Sequence, residues 1–233
     1  AEKIVNIPLS VVFSFGSVML PKMSQMVASK EGQAIQRFMR LSIKYMVGLS
    51  MGMAAGLIGI SEIFAPVFWG EGFVESGVLI RVLSLSIPFS TFASIVRNQD
   101  MIPHGKDNEY CISILVGAVV NVVLNYILIP RHGAIGVSIA TVTAEILVCI
   151  CQLCFSRKQF AYGQYIRQTT LFLIISVFMA IAVRCIGRLL GKTIITLVIQ
   201  VVFGVVLFCG CSIVFMFVTR DSDLKSIMKS KAK

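Results

Sequence analysis

Long apolar stretches separated by short polar segments run along the whole chain. Each stretch has roughly 18 to 25 residues, enough for a helix to cross a hydrocarbon layer about 30 Å thick. Runs such as 171–183 lack the alternation of a membrane-barrel strand, so a helix is the spanning element that fits. The predicted spans are 4–21, 45–68, 78–97, 110–130, 136–155, 170–188 and 194–218. The pattern predicts an all-α fold, a polytopic transmembrane bundle of about seven helices.

Composition excludes a soluble domain. Of the 233 residues, 57% are hydrophobic and only 14% are charged, and the mean hydropathy is +0.88. A soluble fold has too little interior to hide so much apolar surface. The chain is therefore predicted to lie in a membrane.

The basic residues predict the orientation, because Lys and Arg are retained on the cytoplasmic side during insertion. Assigning alternate connectors to the cytoplasm places fifteen of the 21 basic residues there, so the chain is expected to begin outside and end inside. The net charge of +10 is interpreted as topology and contact with anionic lipid, not as nucleic-acid binding. An outside start without an initiator Met favours the C-terminal part of a longer protein.

Two predicted spans carry polar residues on one side only. In the first span these residues fall within about 80° of the helix circumference, and in the third within about 140°. The residues of the first stripe are Asn6, Ser10, Ser14 and Ser17, and those of the second are Arg81, Ser84, Thr91, Ser94 and Asn98. Such a stripe is typical of a helix that lines a wet cavity. The alternative is that the hydroxyls bond to their own helix or allow close packing.

One acid, Glu145, lies near the middle of the fifth span. Ser138, Thr141 and Gln152 fall within about 60° of it, so it belongs to a polar face. An acid in the hydrocarbon region marks either a proton or ion coupling site or a hydrogen bond to a neighbouring helix. Both hypotheses remain open at this point.

Spacing and polarity also divide the chain. Gly48, Gly52 and Gly56 recur every four residues in the second span, which allows close approach of another helix. The last two spans are almost wholly apolar and are predicted to be peripheral. The expected units are a five-helix bundle over 1–155, two additional helices over 156–218 and a basic cytoplasmic tail over 219–233.

The sequence predicts no catalytic, cofactor or metal site. The two histidines, His104 and His132, fall in connectors on opposite faces of the membrane, so they cannot share a site. Cys149, Cys151 and Cys154 form a C-x-C-x-x-C run without a nearby histidine, and cysteine in a lipid helix usually acts as a small apolar side chain.

The segment 95–145 carries a resemblance to a known family. It reads IVRNQDMIPHGKDNEY, GAVVNVVLNYILIP and RHGAIGVSIATVTAE. The matching features are Ile102, Pro103, Gly105 and Lys106 in a turn, Asn121 and Asn125 before Ile129 and Pro130, and Gly133 with Gly136 opening the helix that reaches Glu145. FGSVMLPKMS at 15–24 and FWGEGF at 68–73 agree with it. The chain resembles the second half of bacterial repeat-unit flippases of the polysaccharide transporter family, which share a superfamily with multidrug extrusion transporters and lipid II flippases.

The resemblance implies spans 8 to 14 of a fourteen-helix transporter in the bacterial cytoplasmic membrane. Its substrate would be an undecaprenyl-diphosphate-linked oligosaccharide, moved to the outer leaflet by alternating access. Implied partners are membrane lipids, the missing N-terminal lobe and the polysaccharide polymerase machinery. Asn121 and Asn125 would join the cavity, and Arg81 or Arg97 would balance the diphosphate. An alternative role is open for each arginine: Arg97 would be an ordinary cytoplasmic anchor, and Arg81 would extend to the outer headgroups.

Two other functions stay open. One is a transporter that extrudes drugs or organic cations, and the other is a scaffold or part of a polysaccharide polymerase. A cation exporter favours acids and aromatic residues in its cavity, whereas a scaffold needs no polar stripes. The serine-rich stripes favour a sugar substrate.

Overall fold

The computed structural model describes residues 1–156 and 162–218, and every long element in these ranges is an α-helix. The helices are α1 Glu2–Ala28, α2 Gly32–Ser42, α3 Gly48–Trp69, α4 Val74–Ser84, α5 Ser86–Val96, α6 Asp107–Ser156, α7 Tyr162–Leu190 and α8 Ile194–Val218. A π-helical turn, Ile43–Val47, joins α2 to α3, and another, Arg97–Met101, follows α5. The predicted tail 219–233 lies outside the described residues.

Helix α6 is two antiparallel spans. Its 50 residues would extend about 75 Å as one rod, far more than a bilayer needs. The backbone leaves the helical conformation at Gly133, where φ is 53° and ψ is −130°. The halves, 107–132 (α6a) and 134–156 (α6b), then pack together: Gln152 Nε2 donates to Ser113 Oγ at 3.3 Å, and a Cβ on Gly117 would lie 2.3 Å from the Val148 side chain.

The number of crossings agrees with the prediction. Six helical segments of the described chain are long and apolar enough to cross a membrane. Because one of them, α6, folds back on itself and contains two spans, the six segments provide seven crossings. The all-α transmembrane bundle of about seven helices is confirmed. We call the end of the bundle where α1 begins the start face. The side of the membrane on which the start face lies stays a prediction.

The connector predicted at 22–44 is largely helical, which corrects the span boundaries. Helix α1 continues past Pro21 to Ala28, and α2 resumes at Gly32. The reason is that this stretch is amphipathic: Met23 and Met26 on α1 pack against Ile35 and Met39 on α2 in one buried cluster. Hydropathy alone could not include a segment whose other face is polar.

The glycine face of α3 is covered by α7 and α8. A Cβ on Gly48 would lie 2.8 Å from the Phe172 ring, and one on Gly52 would lie 2.6 Å from Phe208. The prediction of a close helix approach is confirmed at these two positions, whereas Gly56 has ordinary clearance. The division at 155 and 218 stays a prediction.

Candidate polar cavity between α1, α5 and α6

A cavity of about 630 Å³ opens between α1, α5 and the two halves of α6. Its polar lining comes from Asn6, Ser90, Ser94, Arg97, Tyr110, Asn121, Thr141, Glu145 and Gln152. Seven of the residues singled out in the sequence meet here: Asn6, Ser94, Arg97, Asn121, Thr141, Glu145 and Gln152. The fold brings together four stretches that are far apart in the chain.

Glu145 is half-buried on α6b and faces the cavity. Ser90 Oγ on α5 donates a hydrogen bond of 2.8 Å to Glu145 Oε2. Ala93 on α5 and Ala144 on α6b line the same cavity and offer little side-chain bulk. The carboxylate therefore has both an interhelical hydrogen bond and access to the cavity, as each of the two hypotheses requires. Its role in coupling stays a prediction.

Arg97 lines the cavity at the end away from the start face. It begins the π-helical turn after α5, and its guanidinium lies 5.8 Å from the ring centre of Tyr110 on α6a. Arg97 Nη1 also approaches the Tyr110 hydroxyl at 3.4 Å. The ring restricts the guanidinium and leaves it beside the cavity, where it can meet an anionic group.

The amides of α6a form a pair. Asn125 Nδ2 donates to Asn121 Oδ1 at 2.8 Å, as the spacing of four residues on one helix face allows. Asn121 lines the cavity, and Asn125 lies one turn closer to the start face. Asn125 Oδ1 is buried and accepts no hydrogen bond from the described residues.

The serines of α1 do not line the cavity. Ser10, Ser14 and Ser17 are exposed, and each donates back to its own helix, to the carbonyls of Ile7, Ser10 and Phe13 at 2.7, 2.8 and 3.0 Å. Only Asn6 of the predicted stripe reaches the cavity. The other three form a polar strip on the outer surface of the described bundle.

The polar residues of the third span also separate. Ser84 and Thr91 are buried and donate to the carbonyls of Ile80 and Ile87 at 2.6 and 2.7 Å. Asn98 Nδ2 donates to Ser94 Oγ at 3.2 Å, and the Asn98 amide occupies the space beside Gly16 on α1. These contacts are those expected under the alternative weighed for the stripes, in which polar groups bond within their own helix or allow close packing; the function of the three residues stays a prediction.

Arg81 lies away from the cavity. Its Nη2 pairs with Glu62 Oε1 on α3 at 2.9 Å, near the start face.

Within the described residues no group of three or more His, Cys, Asp or Glu side chains could hold a metal ion.

A comparison with family models decides the family. The model described as "Lipid II flippase MurJ" matches residues 1–215. The chain belongs to the MurJ family. This result supports a family of lipid-linked flippases, without singling out the polysaccharide branch that the sequence resembles.

Curated relatives of this MurJ-family chain come from bacteria and an archaeon. An uncharacterized membrane protein of Methanocaldococcus jannaschii is 24% identical over 229 residues, covering 97% of this chain and 45% of that protein. The lipid II flippase MurJ of Bacillus subtilis is 24% identical over 234 residues, 92% of this chain and 42% of its own. A putative O-antigen transporter of Shigella dysenteriae is 20% identical over 153 residues, 66% of this chain and 38% of its own.

A solved structure shows the same fold. Lipid II flippase MurJ in an inward closed conformation matches with a TM-score of 0.69 at 17% identity, over 93% of this chain and 47% of that one. The chain thus spans less than half the length of the relatives it matches.

Sequence reasoning missed two of the polar residues that line the cavity, Ser90 and Tyr110. Ser90 lies one turn before Ser94, so the same helical spacing that selected Ser94 could have found it. Tyr110 gave no such signal, because it opens a new helix after a turn. That turn is fixed by a buried acid: Asp100 pairs with His104 at 3.1 Å and with Lys106 at 3.3 Å.

Proposed function

We propose that this chain forms one lobe of a flippase that moves a diphosphate-linked saccharide lipid across the membrane. The observation that carries the proposal is a polar cavity, with Arg97 and Glu145 in its lining, inside a largely apolar bundle of the MurJ family. A sugar and a diphosphate cannot enter hydrocarbon without losing their hydrogen bonds to water. Amide and hydroxyl groups in the cavity replace those bonds, while the lipid tail stays in the bilayer.

Charge favours this cargo over an organic cation. Arg97 can form two parallel hydrogen bonds with a phosphate group, and Tyr110 holds it beside the cavity. Glu145 on α6b already accepts a hydrogen bond from Ser90 Oγ, which lies about 10 Å along the helix from Arg97. The arrangement supports recognition of an anion at one end of the cavity and leaves Glu145 as the candidate for proton or ion coupling.

Size supports a second lobe. The volume of about 630 Å³ suits a small-molecule site, which typically has about 300 to 1,000 Å³. A lipid-linked saccharide is larger, and the exposed serine strip of α1 offers a second polar wall that the described bundle does not enclose. Alternating access between this lobe and another would use both surfaces.

The proposed substrate class is that named for the family, lipid II. A repeat unit for O-antigen or capsule is the second candidate, favoured by the sequence resemblance and by the Shigella relative named as a putative O-antigen transporter. That candidate would bring the polysaccharide polymerase machinery as a partner.

Complementation separates the two substrates. The protein expressed from its complete reading frame is introduced into one strain depleted of its lipid II flippase and another lacking its O-antigen flippase. We expect rescue of the first strain, with Arg97→Gln reducing lipid II translocation about tenfold or more and Arg97→Lys reducing it less. Lys3→Gln, an exposed charge loss outside the cavity, is the matched control. Rescue of neither strain, or full activity in Arg97→Gln, contradicts the proposal.

A further inference from the structure

Three arginines surround a single carboxylate near the start face. Glu62 on α3 accepts from Nη2 of Arg81 on α4 and from Nη2 of Arg184 on α7. Arg188, one turn further along α7, places its Nε 3.9 Å from the second oxygen of Glu62. Three positive charges against one negative charge leave +2. We call these four residues the arginine cluster.

The excess charge calls for another anion. The Nε atoms of Arg81 and Arg184 are buried and have no hydrogen-bond partner among the described residues, and unpaired donors and cations are costly at membrane depth. Glu62 lies seven residues before the end of α3, about 10 Å along the helix. This is the depth to which a lipid phosphate can be reached by arginine side chains that extend toward the headgroups.

An apolar groove leads away from the cluster. It has a volume of about 600 Å³, lies between α3, α5, α6b and α7, and includes Arg184 at one end. Its α7 wall from Thr169 to Arg184 rises about 22 Å, longer than the roughly 15 Å that one leaflet of hydrocarbon occupies. Leu173, Val177 and Ile181 are exposed on this wall, so the groove opens sideways to lipid.

We propose that the arginine cluster and this groove bind an anionic phospholipid of the leaflet at the start face. The phosphate would complete the charge balance of the cluster, and one acyl chain would fill the groove. A saccharide carrier fits less well, because the described lining next to Arg184 provides aliphatic side chains and the Ser176 hydroxyl but no amide to hydrogen-bond a sugar. The proposal does not depend on the proposed function, since the site is separate from the polar cavity.

The test uses the protein from its complete reading frame, purified in a neutral detergent. Dioleoyl phosphatidylglycerol and dioleoyl phosphatidylcholine are titrated, and bound lipid is counted by native mass spectrometry. We expect preference for phosphatidylglycerol, and a loss of about fivefold in its affinity in Arg188→Gln with phosphatidylcholine unchanged. Arg188 is 69% exposed, so this substitution should leave the fold intact.

Three further variants test separately the position of the charge, the net charge of the cluster and the contact of the groove with the acyl chain. Lys192→Gln removes one charge from the same end of the bundle, where Lys192 pairs with Glu71 at 3.7 Å, and should change the affinity less than about twofold. Glu62→Gln removes the neutralising carboxylate and should raise the affinity for phosphatidylglycerol. Val177→Trp should weaken the long-chain lipid but not its dihexanoyl analogue, because it narrows only the groove.

Several results would overturn the proposal. Equal affinity for the two lipids, or an undiminished preference in both Arg188→Gln and the double variant Arg184→Gln/Arg188→Gln, would mean that the cluster only ties helices together or meets a carboxylate elsewhere in the protein. Displacement of the lipid by inorganic phosphate alone would indicate a free-phosphate site. Stronger binding of undecaprenyl phosphate than of phosphatidylglycerol would identify a carrier site instead.

Discussion

Glu145 is the residue in which packing and transport are hardest to separate. Its hydrogen bond from Ser90 joins α5 to α6b, and its carboxylate borders the cavity beside Thr141. A purely structural role would explain the hydrogen bond from Ser90 but not the exposure of the carboxylate to the cavity. A pure coupling role would explain that exposure but not the hydrogen bond. Substitutions that remove the proton, the hydrogen bond or the whole group act differently on the two roles.

We expect Glu145→Gln to lower translocation of the lipid-linked substrate at least about tenfold while membrane abundance stays near normal. The amide keeps the shape and can still accept from Ser90, but it cannot exchange a proton or neutralise a cation. Translocation is measured across a range of pH together with abundance by immunoblot.

Two control variants separate the loss of the titratable acid from the loss of the hydrogen bond and from a general loss of charge. Ser90→Ala removes only the hydrogen bond, and Glu75→Gln removes an exposed acid outside the cavity. Normal translocation by Glu145→Gln at every pH, together with low abundance of Glu145→Ala, would leave Glu145 as a packing residue.

At the scale of elements, periodic apolar runs predict the helices well, but they do not predict what each polar face meets. The serines of α1 and Ser94 of α5 share the same kind of stripe, yet only Ser94 lines the cavity. The difference lies in the neighbouring helix, which one sequence cannot specify: Asn98 packs on Gly16, and Arg81 is drawn to Glu62. Likewise, the glycines of α3 predict a close neighbour without identifying α7 and α8.

The hairpin in α6 can be tested directly. In a cysteine-free background, Gly117→Cys and Val148→Cys together should form a disulfide on mild oxidation, because a Cβ on Gly117 would lie 3.8 Å from the Cβ of Val148, a separation that a disulfide can span. A pair made of Ile127→Cys and Val148→Cys is the control, since position 127 is exposed and lies near the Gly133 end of the hairpin, about 15 Å along α6a from position 117. The two pairs are compared by gel mobility after cleavage between positions 133 and 137. Equal cross-linking of the pairs, or none in the first, would contradict the antiparallel arrangement.

Close packing of α4 on α3 gives a second test at this scale. A Cβ on Gly77 would lie 2.5 Å from the backbone oxygen of Ser61, which cannot move aside without displacing its helix. Gly77→Ala should therefore destabilise the protein by about 1 to 3 kcal/mol. Gly210→Ala, in α8 with nothing within 4 Å of its Cβ, should be neutral or slightly stabilising. Thermal unfolding in detergent compares them, and equal melting temperatures would show that α4 has room to move.

At the scale of the whole molecule, two polar regions of the described bundle differ in their chemistry. The cavity between α1, α5 and α6 has both Arg97 and Glu145 in its lining, whereas the arginine cluster lies near the start face on α3, α4 and α7. The chain covers 42% to 45% of the length of two relatives, and under the proposed function the exposed strip of α1 would face the second lobe. The sequence predicts the number of crossings because hydrocarbon thickness fixes their length, but the cavity depends on contacts among four distant segments.

Orientation is a property of the whole chain, and the basic residues predict it. When alternate connectors of the sequence are assigned to the cytoplasm, fifteen of the 21 basic residues fall there, so we expect the start face to lie outside. In a background without the seven cysteines, Gly72→Cys should react with a membrane-impermeant maleimide in intact cells, and Ser29→Cys only in inverted vesicles. Both positions are exposed, and Ser29 is preferred to Lys30 because Lys30 has a φ of 57°. The reverse labelling would place the start face in the cytoplasm. The phospholipid at the arginine cluster would then come from the inner leaflet, and Arg97 would lie at the outer end of the cavity.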